Sequence, residues 1–395
     1  MLHVSNIVDE NTVEVSDSRT LKVRVANVNE LRTEGTKVFG LTQSRVVAYR
    51  DVEDFLTRYA LRQKLVNPDY EYVFEYADNE VRVSGIDIHA TGAVDLEIPD
   101  FIDTIGDFAF QDMSDIRSAY IPDSVVRLGR SCFYNCSSLE SVRLSQSLPY
   151  LVDDVFCWCT ALTSIVIPED ITILGGHCFT GCKALTGIVI PEGVTTLGEY
   201  CFYCCTGLES IVLPSTVTHI GSHCFADCFS LEDINISDTS IDELSSYCFS
   251  MCRSLKSLEL PDSLQKIGKQ VITGCFSLEE IRIHSLLLDM LENRTFYDCI
   301  NLRRLTIVEL SMSSSMLNSV PYPETLSSAF TKCGKLSTIR VEDIAENSIS
   351  DIETFIRHFK KGVPSIEILE IDKSVGISLD TISEELGIEI RPLEE

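Results

Sequence analysis

The sequence predicts a repeat solenoid of α/β type, with one short parallel β-strand in each repeat of about 23 residues, preceded by a small α+β module. Three observations carry this expectation. Leu139, Leu162, Leu185, Leu208 and Leu231 fall 23 residues apart. Around each of them one pattern recurs: CysPhe, a second Cys three residues on, the Leu, two Ile, Val or Leu residues spaced by one, usually a Pro, and then LeuGly or IleGly. The phase also persists, because a Phe row runs through Phe110, Phe133, Phe156, Phe179, Phe202, Phe225 and Phe249, lapses at Ile272, and resumes at Phe296 and Phe330. One such unit is too small to bury its own apolar face, so it orders only by stacking on its neighbours.

Residues 1–66 lie outside the repeat. ThrValGluValSer at 12–16, LeuLysValArgVal at 21–25 and ArgValValAlaTyr at 45–49 alternate as short strands do. Asp51 can cap a helix in which Val52, Phe55, Leu56 and Tyr59 share a face, and Asn67-Pro68 stops it. The task of this module is not legible. Over 67–92, Tyr70, Tyr72, Phe74 and Tyr76 alternate with Glu71 and Glu75, and a turn at Asp78-Asn79 leads into ValArgVal. This predicts a hairpin that caps the first repeat, since a solenoid end otherwise exposes apolar surface and an open strand edge.

Residues 93–345 hold about ten whole or partial repeats. The Leu-x-x-Ile-x-Ile stretch suits a strand whose last two apolar residues face inward, by the period of two. Pro99, Pro122, Pro168, Pro191, Pro214 and Pro261 end it, because proline donates no ladder hydrogen bond. Spacing stays at 23 or 24 up to Leu302 and then jumps by 34 to Leu336. That expansion, over 309–325 with Met312, Met316, Pro321 and Pro323, is read either as a partner-contacting loop or as a tolerated insertion. Residues 346–395 read as a C-terminal cap. Ile352, Phe355, Ile356 and Phe359 make an amphipathic helix stopped by Gly362, residues 366–371 a strand, and 379–386 a last short helix.

The repeat pattern, carried almost complete by residues 126–144 and 194–214, closely resembles the BspA-like leucine-rich repeats, over about two thirds of the chain. The resemblance implies a leucine-rich-repeat solenoid. It also implies a non-enzymatic interaction or surface-adhesion protein, although function is loosely attached to that fold. Many such relatives are secreted, and this chain departs from them in lacking a recognisable signal.

Sixty acidic residues face 32 Lys and Arg, for a formal net charge of −28. Such a surface repels phosphate backbones and anionic lipid, so nucleic acid and membrane are poor partners. The charge serves either solubility or the selection of a basic partner. The first residues have no basic n-region with an apolar core, and no apolar run reaches membrane-spanning length. The expected location is therefore the cytoplasm, with secretion or surface display by another route as the alternative.

Nine of the 16 cysteines share one repeat position: Cys136, Cys159, Cys182, Cys205, Cys228, Cys252, Cys275, Cys299 and Cys333. Cys132, Cys178, Cys201, Cys224 and Cys248 share another, which Ala109, Val155, Val271, Thr295 and Ala329 occupy elsewhere. A position that accepts these types wants a small, mostly apolar group, so both rows read as buried thiols rather than disulfides. Cys157 and Cys204 break the pattern and are the candidates for a solvent-facing, oxidisable thiol. His219, His223, Cys224 and Cys228 make the best metal set, yet both cysteines already belong to core rows, and no metal is expected. His177 and His223 share a row with Asp154, Tyr200 and Tyr247, which is either a gripping stripe or a solvated flank.

No nucleophile elbow, phosphate loop, dinucleotide fingerprint or paired His/carboxylate motif occurs, so the reading is non-enzymatic and without a cofactor. The outward strand positions form the row Glu97, Tyr120, Arg143, Val166, Val189, Val212, Asn235, Glu259, Arg282 and Thr306. Its middle is apolar and its ends polar, as an interface is built. The alternative is that valine simply favours strands and packs on valine in the next repeat. The expected function is a protein-interaction scaffold whose partner contacts Tyr120, Arg143, Val166, Val189, Val212 and Asn235. Its rivals are an exported adhesin, and a ligand-binding or enzymatic module at 1–66 with the repeats as a recognition arm.

Overall fold

The computed structural model describes residues 70–77, 80–88, 92–100, 102–284, 291, 294–310, 322–344, 352–371 and 380–393, with short strands between His3 and Val46. The chain divides into two compact units, Met1–Ile171 and Thr172–Glu395. Each is a stack of parallel strands of the leucine-rich-repeat type.

In the first unit, Val94–Glu97, Ile116–Tyr120, Ser141–Arg143 and Ser164–Ile165 pair in parallel and in chain order. The register is Asp95 on Ser118, Ser118 on Ser141 and Ser141 on Ser164, and it sets Glu97 on Tyr120 and Tyr120 on Arg143, the outward row read from the repeat. Ala119, Val142 and Ile165 are buried between outward neighbours. A second, unforeseen sheet runs along the LeuGly position, where Thr104–Ile105 pairs in parallel with Arg127–Leu128. The hairpin Tyr70–Ala77 with Glu80–Ile88 joins that sheet, because Arg82 and Val83 pair with Thr104 and Ile105. Ahead of it, His3–Asp9, Thr12–Ser16 and Thr20–Arg24 form an antiparallel sheet. The helix expected from Asp51 falls outside the described residues.

In the second unit the outward strands are Gly187–Val189, Ser210–Val212 and Asp233–Ile234, then Ser257–Glu259, Glu280–Ile283, Arg304–Leu310, Thr338–Ile344, Ile368–Ile371 and Glu389–Arg391. At the LeuGly position this unit has its own parallel pairings, of Ile173–Leu174, Thr196–Leu197 and His219–Ile220 in one sheet and of Glu243–Leu244 with Lys266–Ile267 in another. Of the expansion after Leu302, residues 311–321 lie outside the described residues, and the next element is a helix, Tyr322–Ala329. Pro323 sits in its first turn, where a missing N–H is no loss. The amphipathic helix Ile352–Gly362 buries Ile352, Phe355, Ile356 and Phe359 as expected. Two further parallel strands come after it, so the outward sheet continues to Arg391.

The phenylalanines are the axis of both cores. Phe110, Phe133 and Phe156 pack ring on ring at 4.9 and 5.6 Å. Phe179, Phe202, Phe225 and Phe249 stack at 5.4, 5.6 and 5.4 Å, within 9° of parallel. Phe330 stacks on Phe296 at 4.9 Å, and Phe359 of the amphipathic helix adds a tilted ring at 5.9 Å. From Phe110 to Phe296 each turn into the Phe position passes through two left-handed residues four apart, such as Tyr200 with Cys204 and His223 with Asp227. Few of these are glycine, and the cost is offset by inter-repeat bonds. His177, Tyr200 and Tyr247 donate their backbone N–H to Glu199, Ser222 and Lys269 at 2.8, 2.9 and 3.0 Å.

The two cysteine rows do different work. In the nine-membered row the thiol donates to the carbonyl of the Phe one repeat back: Cys136 to Phe110, Cys159 to Phe133, Cys205 to Phe179, Cys228 to Phe202 and Cys252 to Phe225, all at 3.0–3.2 Å. No Ala or Val can make that bond, which accounts for Cys in nine of the ten repeats; the first, where no such Phe precedes, carries Met113. The other row alternates with Ala and Val, so its requirement is volume. Replacing Cys228 by Ala therefore costs about 1 kcal/mol more than replacing Cys224 by Ala, the worth of one hydrogen bond on a carbonyl in the core. Urea unfolding of the two variants measures it, and equal losses would reduce the thiol to space filling.

Candidate interaction surface

Of the six candidates, Tyr120, Arg143, Val189 and Val212 lie on outward strand positions, and Val166 and Asn235 follow directly on the strands Ser164–Ile165 and Asp233–Ile234. Thr306, read as outward, is instead buried, its hydroxyl donating to Glu280 at 2.9 Å. In the first unit Tyr120 is 48% exposed and lies under the Arg143 guanidinium at 4.9 Å. Arg143 is held from within, donating to the Ile121 carbonyl at 2.8 Å and to Asp123 at 3.0 Å. Val166 is 78% exposed. In the second unit Val189 and Val212 are direct cross-strand partners, 67% and 52% exposed. Asn235 is half-buried and committed to the backbone. Its amide accepts from the Leu213 N–H at 2.8 Å and donates to the Leu213 carbonyl at 2.9 Å and to Asp238 at 3.0 Å. It thus continues the strand pairing that stops at Ile234.

Further along the second unit an ion-pair ladder runs across this row and the one beside it. Arg282 bonds Glu259 and, at 2.8 Å, Glu342. Arg304 lies 3.7 Å from Glu280 and 3.5 Å from Glu370, and Arg340 lies 3.6 Å from Glu370.

On the flank of the second unit, His177, Tyr200, His223 and Tyr247 stack as a column at 4.7, 4.4 and 4.6 Å, within 13° of parallel. The repeat row predicted their alignment. Packing leaves the Nδ1 of His223 buried with no hydrogen-bond partner. Burial pushes its imidazole below the ordinary value near 6.5, against the pull of Glu199 and Asp227. A base whose folded pKa is depressed favours the unfolded chain once it is protonated. Its contribution to stability is complete above pH 6.5 and is lost as the pH falls below that. Tyrosine already holds this position at Tyr200 and Tyr247, so His223→Tyr keeps the column and flattens this part of the acid dependence of Tm. Parallel Tm profiles for the two proteins between pH 7 and pH 5 would rule His223 out as the cause.

The cysteine candidates separate. Cys157 is buried, which pushes its thiol up to about 12, so the expected solvent-facing thiol is not found there. Cys204 is half-buried, and burial outweighs the Tyr203 hydrogen bond, with the Asp227 carboxylate adding to the rise. Neither is an activated thiolate. His219, His223, Cys224 and Cys228 do not converge: His219 is exposed on the second sheet, while both cysteines are core. Among the described residues no group of three His, Cys, Asp or Glu is placed to hold a metal. Among the same residues no helix is long and apolar enough to cross a membrane.

The chain matches the BspA type leucine-rich repeat region in six copies, over residues 90–203 and 172–303. A leucine-rich repeat protein of Bacteroides ovatus is similar in structure, with 22% identity and a TM-score of 0.51, covering 84% of this chain and 100% of the other. A leucine-rich repeat protein of T. pallidum is 23% identical over 53% of this chain and 88% of its own, with a TM-score of 0.40. A leucine-rich cell surface protein of Faecalibacterium prausnitzii is 22% identical over 73% and 96%, with a TM-score of 0.37. No curated protein matches the chain.

Proposed function

Because the chain belongs to the BspA-type leucine-rich repeat family, we propose that it is a non-enzymatic interaction scaffold whose protein partner docks on the outward strands. The contact residues are Tyr120, Arg143 and Val166 in the first unit and Val189, Val212 and Asn235 in the second. One observation carries this reading: Val166, Val189 and Val212 stand mostly exposed, while the inward residues beside them, Ile165, Ile188 and Ile211, are buried. Bare valines stacked on flat strands present apolar area at little entropic cost, which is what an interface core needs. The cysteines support a reducing compartment such as the cytoplasm, since a thiol that donates to a carbonyl must be reduced.

The test is recovery of partners from native lysate by the full chain, by a Val189→Glu variant and by residues 67–395. A partner on this face binds the variant about 10–100-fold more weakly, the cost of a charge in an apolar contact. Undiminished capture by Val189→Glu would remove the valines from the surface. Loss of the partner with residues 1–66 would move recognition into the N-terminal module.

A further inference from the structure

The outward face of the Thr172–Glu395 unit handles charge in two ways. Toward its end each arginine is neutralised from within: Arg282 by Glu259 and Glu342, Arg304 by Glu280 and Glu370, Arg340 by Glu370. Around the valines the acids are left over. Glu192, Glu209 and Asp233 are exposed, and among the described residues none of the three has an ion-pair partner. Lys256 is taken up by Glu232 at 2.6 Å.

The acids bracket the apolar pair. Glu209 precedes the strand Ser210–Val212, and Asp233 lies opposite Ser210 in the next strand. Glu192 closes the other side. It stands 20 residues before Val212, the same interval at which Asp123 reaches the side chain of Arg143 in the first unit. At the position where one repeat supplies an arginine for its acid, another supplies Val212 and leaves Glu192 without a cation.

We propose that this patch receives a segment of another protein that sets an apolar side chain between Lys or Arg side chains. The inference rests on the strand-face reading above and adds the chemistry of the partner. The apolar side chain covers Val189 and Val212, and the flanking cations meet Glu192 on one side and Glu209 with Asp233 on the other. Burying valine supplies affinity, while the acidic rim steers approach and rejects acidic competitors.

The experiment is a fluorescence-anisotropy titration of the full chain with labelled peptides of equal length that alternate leucine with arginine, with serine or with glutamate. The leucine–arginine peptide binds most tightly, and added salt weakens it. Glu192→Lys with Glu209→Lys weakens it about tenfold, from two lost attractions turned repulsive. A control with the same net charge, Glu353→Lys with Glu384→Lys on the C-terminal helices, changes it less than about twofold. An equal loss in the control would overturn the proposal, since bulk charge would then suffice. If the serine or glutamate peptide binds as tightly and loses its affinity on Val212→Ser, the charge inference falls while the strand face survives. If no peptide responds to Val212→Ser, the surface itself falls with it.

Discussion

Phe202→Ala lowers the stability of the array by about 3–5 kcal/mol, the range for emptying a fully buried phenylalanine site. Phe202 has no exposed surface and stacks on Phe179 at 5.4 Å and on Phe225 at 5.6 Å. Both neighbours lose a ring face, so two inter-repeat interfaces weaken at once. A compact domain would relax around such a hole from many directions. A stack can close it only by sliding repeats together, and their parallel strands already stand at the spacing of the hydrogen-bonded ladder, about 4.8 Å. Stability in a solenoid is close to a sum over repeats and their nearest-neighbour interfaces. The loss therefore splits the transition, and the repeats on either side of Phe202 open in separate steps. Urea unfolding followed by circular dichroism and by tyrosine fluorescence should give non-coincident curves. A single transition shifted by less than about 1 kcal/mol would mean the Phe column is not the axis of the core.

The second large effect needs only one methyl group. A Cβ built on Gly198 would stand 2.5 Å from the backbone N of Gly176 and 2.6 Å from the carbonyl carbon of Gly175. Both obstacles are backbone, so no side-chain rotation relieves them, and the repeats must separate. The same holds at Gly221, where a Cβ would meet the Glu199 N at 2.4 Å. Gly198→Ala is expected to cost about 1–3 kcal/mol from overpacking, or more if the LeuGly sheet parts. Gly334 has nothing within 4 Å of its would-be Cβ, so Gly334→Ala is the matched control. It is expected to stay within about 1 kcal/mol of the parent. Similar values for the two variants would show that the close approach at the LeuGly position does not constrain the stack.

The Phe, Leu and strand rows were legible because each recurs at one repeat position with a period-two alternation around it. The observed register, with Ser118 opposite Ser141 and Gly187 opposite Ser210, comes from the same count. The LeuGly sheet was not legible, since strands of two residues such as Thr196–Leu197 are too short to show alternation. The left-handed turns escaped for another reason. Glycine is the usual sign of positive φ, and Tyr200, Cys204 and Met251 adopt it only because the next repeat fixes their backbone. Tyr322–Ala329 was missed because Pro323 reads as a breaker, although the first helical turn tolerates it. The candidate site was legible as positions but not as partners. That Arg143 and Asn235 are tied down internally, while Glu192 and Glu209 are not, depends on reach between repeats that a single row does not reveal.

The thiol columns give this protein a built-in record of its own opening. Cys136, Cys159, Cys205, Cys228 and Cys252 are sealed inside, one to a repeat, and an alkylating reagent reaches them only when their own segment loosens. A brief pulse of iodoacetamide, read by peptide mass, would register which repeats breathe and how often, without an introduced probe. The same arrangement sets a hazard during synthesis. Until neighbours have stacked, closely spaced sulfhydryls stand open to oxidants, and a mispaired bond formed at that stage would lock the ribbon out of register before it could close.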